Sequence, residues 1–562
     1  MKTRFIVRLV LMSFLTGLTA SCDSFLDTRV DTDLTPDAVA TNRGMLWAFG
    51  NAFYTPMISG FSALDNNFFA AASDEAQRTQ ESGNAYVFNK GTLSPDNVSS
   101  VTSAYGSCYE GIRAANFFLD FAKAGEELLA LNRDIVTDKV NYEKDLRNLA
   151  WYRAEAHVAR AYYYMELIKR FGGVPIVEAT ISQGQHPEMI SRSSYEQVVE
   201  YIVREIDENL EGLQPNWKTH PDGVVTNDGR FDRKSALAIK ARTLLYAASP
   251  LHNTSNEKGK WERAARAAHD LIKEMNYTMP ADRDYGNYFI GNNATQSGES
   301  IFLIRKSADN SLEVSNYPIG TPGGQSGITP TQNLVDAYEY IGDKDPLNPY
   351  ANRDPRLQAS IVVNGSKWNG RTIDEAAGGM DDMSLINTSK TGYYLKKFLK
   401  DELNLIQNAT EVHVWVVFRY AEILLNYAEA MNRAYGPDGL ADGLTLSARD
   451  ALMQVRRSAS SKLSAVITTD KDVFEKAVRN ERRVELAFED HRYWDLLRWN
   501  MAFDVLNRPV EGVAIARSID GSYTYNVVDV AERKFHSHNY YMPFPRSEVA
   551  NSQGTLSQNG GY

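Results

Sequence analysis

Cys22 is the residue whose neighbours in the sequence point most directly to chemistry. It ends the stretch LTASC at residues 18–22, which follows the basic residues Lys2 and Arg4 and a short apolar run. A basic start, a short apolar run and small residues before a cleavage point are features of a secretory signal, and the run is too short to span a bilayer. The sequence therefore predicts that residues 1–21 are removed and that Cys22 becomes the new amino terminus.

The residues before Cys22 also resemble a bacterial lipobox, in which a diacylglycerol is transferred to the cysteine thiol. Thr19 stands where that motif usually has Leu or Val. An ordinary secreted protein with a chance cysteine is the alternative. Residues 22–39 are polar and rich in turn-forming residues, which is typical of a flexible tether. We expect a lipoprotein signal peptide at 1–21 and an anchor of several acyl chains at Cys22.

Enzyme motifs are the next possible source of chemistry. The sequence contains no G-x-S-x-G, H-E-x-x-H or Walker A motif. A glycosidase needs two carboxylates across a cleft, and Asp74-Glu75 or Glu481 with Glu485 could form such a pair. Glu481 and Glu485 lie one helical turn apart among several arginines, which favours a structural charge network. No catalytic residue is predicted.

Cys108 and the two histidines His536 and His538 are further side chains that could be reactive. Cys108 lies in a stretch with the pattern of an amphipathic helix, so we expect a small buried thiol. His536 and His538 could bind a metal, but no cluster of Cys or His accompanies them. No cofactor and no metal is predicted.

Composition excludes some classes of partner and favours others. The 562 residues carry a net charge of −11, which argues against non-specific binding of nucleic acid. Aromatic residues make up 11% of the chain, with 30 tyrosines and 8 tryptophans. Since Tyr and Trp combine a flat apolar face with a polar edge, some of them could form a ligand surface.

The hydrophobic pattern predicts a mainly α protein. Between about residues 145 and 275, apolar side chains recur at three- and four-residue steps in segments of similar length. Stop signals such as Gly172-Gly173 and Pro250 separate these segments. Paired helices with alanines at close-packing positions are typical of tetratricopeptide-like repeats, in which each pair buries its face on the next.

Residues 277–410 differ in composition from the helical segments. Gly, Asn, Pro and Ser are frequent there, and short β-like pieces such as SIFLIRK and QASIVV lie between long loops. We predict a helical part at 40–276 and a carboxy-terminal part at 277–562, which contains the loop-rich insertion 277–410 and then returns to helix.

Several segments together resemble the SusD/RagB family of outer-membrane nutrient-uptake lipoproteins. They occur in the family's order and extend over nearly the whole chain: SCDSFLD (21–27), RAYYYMELIKRFGGVPIV (160–177), KSALAIKARTLLYAASP (234–250), TPTQNLVDAYEY (329–340), RDPRL (353–357), FRYAEILLNYAEAMN (418–432), RNERRVELAFEDHRYWDLLRW (479–499) and the terminal YYMPFPRSEVANSQGTLSQNGGY (540–562).

The resemblance implies a SusD-like fold, in which tetratricopeptide-like helix pairs form a scaffold beside a loop-rich part with short strands. It also implies a function: capture of polysaccharides or oligosaccharides at the cell surface and their delivery to a SusC-like TonB-dependent transporter, without catalysis. Two alternatives stay open. One is a surface glycoside hydrolase, and the other is a repeat scaffold that binds only a protein or peptide.

The residues of a glycan site are predicted from loop position and residue type, because the family motifs do not name them. Trp217 and Trp368 are expected in the scaffold instead. The candidates lie in the loop that follows the first helix and in the insertion: Asp65, Asn66, Arg78, Tyr86, Asn97, Tyr285, Tyr288, Asn316, Tyr317 and Gln325.

Overall fold

The computed structural model describes residues 43–97, 99–123, 125–181, 190–217 and 229–562. The predicted signal peptide at 1–21, the acylated Cys22 and the tether at 22–39 lie outside the described residues. Among the helices of the described residues, none is both long enough and apolar enough to cross a membrane.

Helices dominate the described chain, and the longest lie in the amino-terminal half. They are α1 (Arg43–Ala52), α2 (Gly83–Asn89), α3 (Ser99–Ala122), α4 (Gly125–Ala130), α5 (Lys139–Phe171), α6 (Tyr195–Asp207), α7 (Arg233–Ala248) and α8 (Lys258–Met275). Short 3₁₀ turns lie at Gly60–Ser62, Phe69–Ala72 and Leu210–Gly212.

The insertion contains only short helices, and long helices return after it. Those of the insertion are α9 (Tyr285–Tyr288), α10 (Asn293–Gln296), α11 (Ser311–Asn316), α12 (Gln332–Val335) and α13 (Arg356–Ser360). They are followed by α14 (Tyr420–Tyr435), α15 (Ala448–Ala459), α16 (Lys471–Glu485), α17 (Arg492–Arg498), α18 (Ala502–Val505), a 3₁₀ turn at Ser537–Tyr540 and α19 (Arg546–Asn551).

The strands of the described residues are short and form two-stranded antiparallel pairs. β1 (Ala76–Arg78) pairs with β3 (Ile328–Pro330), and β2 (Ser300–Arg305) pairs with β8 (Val414–Arg419). The other pairs are β4 (Ile361–Val362) with β7 (Tyr394–Leu395), β5 (Lys367–Trp368) with β6 (Arg371–Thr372), and β9 (Val510–Arg517) with β10 (Tyr523–Ala531).

Local sequence signals begin and end the long helices. Ser194 caps α6 by accepting from the backbone N–H of Gln197, whose side chain accepts from the Ser194 N–H. Asp232 caps α7 in the same way. Helix α5 ends at Gly172, whose φ of 72° favours glycine because a side chain would be strained there.

Neighbouring helices pack in pairs along the chain. Helix α5 contacts α3 and α6, α7 packs on α8, and α8 packs on α14, which in turn contacts α15 and α16. Buried apolar residues from Leu46 to Leu556 form one continuous core. The predicted fold class, mainly α with a loop-rich part that contains short strands, is confirmed. Both predicted β-like pieces of the insertion contain strands, β2 and β4.

A buried network of ion pairs centred on Glu485, at the end of α16, joins the insertion to the carboxy-terminal helices. The Glu485 carboxylate accepts from Arg283, from Arg356 at 2.8 Å and from Arg419 at 2.6 Å. Arg419 also binds Glu489 at 2.6 Å. All five side chains are less than a tenth exposed, so the charges are matched without water.

Glu481 extends the same network one helical turn earlier. It accepts from Arg356 at 2.6 Å and from Arg456 at 2.9 Å, and Arg356 also binds Asp354. The expectation of a structural charge network at Glu481 and Glu485 is confirmed. The arginines that bind Glu481 and Glu485 come from distant segments of the chain. The arginines next to these glutamates on α16 bind other acidic side chains instead.

Asp74 and Glu75, the other candidate carboxylate pair, are also held inside the structure. Asp74 binds Arg483 and Arg492, each at 2.7 Å, and these two guanidinium groups hold the pKa of Asp74 below its usual range despite its burial. Burial raises the pKa of Glu75 to about 8. Its Oε1 atom is buried with no hydrogen-bond partner in the described part of the chain.

Replacing Arg356 should reveal how strongly the buried network stabilises the fold. In Arg356→Ala, three buried carboxylates lose a shared counter-charge, so the free energy of unfolding should fall by about 3–5 kcal/mol. Chemical denaturation followed by circular dichroism measures the change. In the control variant Arg263→Ala, the lost pair with Glu200 is 42% and 59% exposed, so the loss should stay within about 1 kcal/mol. Equal losses in both variants would contradict this account.

The raised pKa of Glu75 makes a pH-dependent prediction. Because its folded pKa of about 8 exceeds its usual 4.5, the stability that protonated Glu75 contributes is complete below pH 4.5 and is lost as the pH rises through 8. Glu75→Gln mimics the protonated form. The free energy of unfolding of the variant minus that of the wild type should therefore rise from about pH 5 to about pH 8 and stay constant above pH 8. A pH-independent difference between the two unfolding curves would contradict the assignment.

Candidate functional site

A polar cleft lies between the segment after α1 and the first half of α3. Its volume is about 650 Å³. Hydroxyl, amide, carboxylate and guanidinium side chains line it together with several apolar ones. The polar lining includes Ser59, Ser62, Asp65, Asn66, Asn84, Ser99, Ser103, Ser107 and Glu110.

The two central residues of the cleft lie in a tight turn. Leu64 and Asn67 exchange backbone hydrogen bonds of 3.0 and 2.8 Å, and the residues between them, Asp65 and Asn66, have positive φ angles of 53° and 57°. Positive φ at both central positions is the geometry that Asn and Asp adopt most readily after glycine. The turn leaves the Asn66 side chain exposed at the cleft.

Asp65 fixes the neighbouring elements in place. Its carboxylate pairs with Arg78 at 2.9 Å and accepts from the backbone N–H groups of Asn84 and Ala85 at the start of α2. The side chain of Asn84 also donates to Asp65, at 3.0 Å. Arg78 retains 24% of its side-chain exposure. Asp65, Asn66 and Arg78 are therefore brought together, as a polar group that still faces solvent.

The insertion reaches this group through the pairing of β1 with β3. Arg78 lies opposite Ile328 in that register, and the amide of Gln80 lies 3.4 Å from the backbone oxygen of Gln325. The Gln325 side chain is exposed. One predicted residue of the insertion, Gln325, thus joins the predicted residues of the first loop.

Two other residues of the first loop lie at the surface. Tyr86 is 40% exposed on α2, with the ammonium of Lys90 5.6 Å from its ring. Asn97 is exposed, but its side chain binds its own loop: it accepts from the Ser94 N–H and donates to the Thr92 oxygen. The exposed ring of Tyr86 can contact a ligand, whereas the side chain of Asn97 is already hydrogen-bonded within its own loop.

The remaining predicted residues of the insertion are packed inside the protein. Tyr285 and Tyr317 are buried, and their hydroxyls donate to backbone oxygens of Glu485 and Lys400. Asn316 is buried, and its amide binds Asn67 of the first loop. Tyr288 is half-buried and shares a hydrogen bond with Ser300. The structure places these four in the support behind the loops, away from the cleft.

The two tryptophans, the second cysteine and the two histidines that the sequence singles out pack against other residues. Trp217 and Trp368 are buried, as expected for the scaffold. Cys108 is a buried free thiol, as expected, and burial raises its pKa to about 12. His536 and His538 stack on each other, and His538 also packs against Tyr562.

The serines of α3 are cleft residues that sequence reasoning missed. Ser99, Ser103 and Ser107 are spaced four residues apart, so they lie along one face of the helix, and all three line the cleft. That spacing is visible in the sequence as a polar stripe on an otherwise amphipathic helix. Asn84 was also missed, because its position depends on the turn at Asp65.

A second, smaller cavity lies in the insertion. It holds about 410 Å³ between α9 and α13 and is lined by Asp284, Asn287, Gln358 and Lys396. Tyr285, at the start of α9, anchors one wall of this cavity, since its hydroxyl accepts from the buried Lys397 at 2.6 Å. The insertion thus presents amide and charged groups to solvent while its tyrosines face inward.

The groups of the main cleft suit a polyhydroxylated ligand. Hydroxyls and amides can both donate and accept hydrogen bonds, and the carboxylate of Glu110 adds an acceptor. Met57, Ile58 and Ala63 supply apolar surface. The one aromatic ring in the described lining, Phe69, is buried. Recognition in this cleft would therefore depend on hydrogen bonds more than on ring stacking.

Two family models match the sequence. The model of the SusD family matches residues 282–562, half of the chain. A second model, described as starch-binding and associating with the outer membrane, matches residues 24–245.

Curated relatives and solved structures agree with the family models. SusD-like protein P38 of Formosa agariphila is 25% identical over 390 residues, which cover 67% of this chain and 72% of P38. A SusD-like protein of Bacteroides fragilis superposes with a TM-score of 0.76 at 22% identity, covering 94% of this chain and 98% of that one.

Two further structural neighbours carry names that mention carbohydrate. A SusD-like carbohydrate binding protein of Bacteroides fragilis has a TM-score of 0.72 at 23% identity, covering 92% of this chain and 99% of that one. Surface glycan-binding protein A from Bacteroides fluxus has a TM-score of 0.63 at 19% identity, covering 93% and 100%. At these identities the neighbours show the fold. The family model, which matches half of its length, establishes that the chain belongs to the SusD family.

Proposed function

We propose that this protein binds polysaccharides or oligosaccharides at the cell surface and passes them to a SusC-like TonB-dependent transporter, without catalysis. The observation that carries the proposal is the polar cleft at Asp65 and Asn66, where the first loop meets α3 and lies beside Gln325 of the insertion. Membership of the SusD family and the names of two structural neighbours support it.

The chemistry of the cleft supports a sugar ligand. A sugar presents many hydroxyls, and each needs a partner when it leaves water, because an unpaired buried polar group is costly. Serines on one face of α3, Asn66 and Asn84 provide groups that can act as donor or acceptor for such hydroxyls. Asp65 is held by Arg78 and by the start of α2, so the turn needs little reorganisation on binding.

A glycoside hydrolase is the alternative within carbohydrate chemistry. Of the carboxylate pairs singled out in the sequence, Glu75, Glu481 and Glu485 are buried and Asp74 is 13% exposed, and Asp74, Glu481 and Glu485 are bound by arginines. Such pairs cannot flank a glycosidic bond across an open cleft. We therefore propose a binding function, and the absence of released sugar during binding assays would agree with it.

The transporter partner and the lipid anchor are part of the same proposal. The family model described as associating with the outer membrane begins at residue 24, two residues after Cys22. A polar tether at 22–39 would let the globule stand above the membrane and close over a transporter. The helical part of the protein would offer the broad, rigid surface that a transporter partner needs.

Removing side chains from the cleft should weaken glycan binding. The test is affinity electrophoresis of the purified protein in gels that contain plant, host or microbial polysaccharides. Asn66→Gly keeps the positive φ of the turn but removes the amide, and Gln325→Ala removes an exposed amide. Loss of hydrogen bonds of about 1–3 kcal/mol predicts that each variant binds the retarding polysaccharide about 5- to 150-fold more weakly.

The matched control is Asn387→Gly, which also replaces an exposed asparagine with positive φ, in a turn outside the cleft. It should migrate like the wild type. Equal retardation of the control, of Asn66→Gly in the cleft and of Gln325→Ala in the neighbouring insertion loop would place the binding surface elsewhere. If no gel retards the wild type, a polysaccharide ligand is excluded for the panel, and the oligosaccharides should be tested by calorimetry.

Replacing Cys22 should release the protein from the membrane. In Cys22→Ala no thiol is available for acylation, and no described helix can span the bilayer, so the protein should move from the membrane to the soluble fraction. Cell fractionation, with mass spectrometry of the wild-type amino terminus, measures this. A Cys22→Ala protein that stays in the membrane fraction would count against the acyl anchor.

A further inference from the structure

The charged side chains of the main cleft are not evenly matched. Three residues of its described lining carry a charge: Asp65, Glu110 and Arg170. A charge that is already paired inside the protein attracts or repels a ligand less than an unpaired charge does. Asp65 is paired, because its carboxylate lies 2.9 Å from the guanidinium of Arg78. The charge that the cleft presents to a ligand therefore depends on the other two residues.

Arg170 is matched by acids of the protein. It binds Glu166, one turn earlier on α5, and its side chain is only 5% exposed. The neighbouring ammonium of Lys169 lies 3.0 Å from Glu166 and 3.6 Å from Asp490. Two basic and two acidic side chains thus balance one another at this wall. Arg170 can donate hydrogen bonds to a ligand there, but it adds little net positive charge to the cleft.

Glu110 has no comparable partner. Its side chain is exposed, and no ion pair or hydrogen bond joins that carboxylate to another side chain in the described part of the chain. Arg113, three residues later on α3, is also exposed, but it is not among the described residues that line the cleft. Glu110 therefore leaves one negative charge unmatched in the cleft.

Glu110 stands at one end of the row of serines on α3. Ser99, Ser103, Ser107 and Glu110 follow one another at steps of four, four and three residues, so they share one face of the helix. The helical rise places Glu110 about 16 Å from Ser99 along the axis. A ligand that lies along the serines to exchange hydrogen bonds with them comes within reach of this carboxylate.

We propose that Glu110 determines specificity by making the cleft select against acidic glycans, so that the substrate class is a glycan without carboxylate, sulfate or phosphate groups. This inference rests on the proposed function, because it names the ligand class of the same cleft. An acidic group beside Glu110 meets an unpaired like charge, which opposes binding. The net charge of −11 acts on a polyanion in the same direction and at longer range.

A matched pair of ligands tests the proposal. The polysaccharide that retards the wild type is converted to its hydroxyethyl ether and to its carboxymethyl ether at equal degrees of substitution. Both ethers replace hydroxyls by groups of similar size, but only the carboxymethyl ether adds charge. In titration calorimetry at low salt, the wild type should bind the carboxymethyl ether about fivefold or more weakly than the hydroxyethyl ether. The difference should shrink as salt is added, because ions screen the repulsion.

Two variants show whether Glu110 is responsible. Glu110→Gln keeps the size of the side chain and removes its charge, so it should at least halve the discrimination between the two ethers. Its affinity for the hydroxyethyl ether should stay within about twofold of the wild type, since a neutral ligand meets no repulsion. The matched control is Glu127→Gln, an exposed glutamate on α4 outside the described cleft lining. It changes the net charge equally and should keep the wild-type discrimination.

The outcomes that would overturn the inference differ from those that would overturn the proposed function. Equal affinity of the wild type for both ethers, unchanged discrimination in Glu110→Gln, or equal loss of discrimination in Glu127→Gln would each refute the role of Glu110. Tight binding of a naturally acidic polysaccharide that Asn66→Gly abolishes would refute the inference and leave the proposed function standing. If the wild type binds no polysaccharide or oligosaccharide, the proposed function fails and the inference fails with it.

Discussion

The structure depends on a set of charges that have been taken out of water and matched with one another. Glu485 lies between Arg283, Arg356 and Arg419, which come from segments 66 to 202 residues away in the chain. Each buried charge would be costly alone, and the pairs of this network are tolerated because Glu481, Glu485 and Glu489 each bind an arginine at short distance. The network therefore fixes how the loop-rich insertion sits on the carboxy-terminal helices.

This constraint also explains which tyrosines are available to a ligand. Tyr285 belongs to the network, since it bonds to the backbone of Glu485 and receives a hydrogen bond from Lys397. Tyr317 supports the segment at Lys400 in a similar way. Because these rings are buried, the exposed surface of the loops consists of amides, hydroxyls and a few charged groups. Such groups converge in the cleft beside Asp65.

Part of the candidate site could be predicted from residue type and loop position. Asp65, Asn66, Arg78 and Gln325 were predicted, and the structure brings them together through a tight turn and the pairing of β1 with β3. Tyr285, Asn316 and Tyr317 have the same loop composition but are buried. Nothing in a single sequence separates an aromatic residue that faces a ligand from one that braces its own loop, because both occur among Gly, Asn and Pro. The α3 serines could have been found from their four-residue spacing.

The sequence by itself determined the mainly α class, the positions of the long helices and the family. These follow from local periodicity, from caps such as Ser194 and Asp232, and from motifs ordered along the chain. Only the tertiary structure decided the partners of Glu481, Glu485 and Asp74 and which side chains line the cleft. Contacts between residues hundreds of positions apart depend on how the helices pack, and that packing is set by the shared core and by the buried charges together.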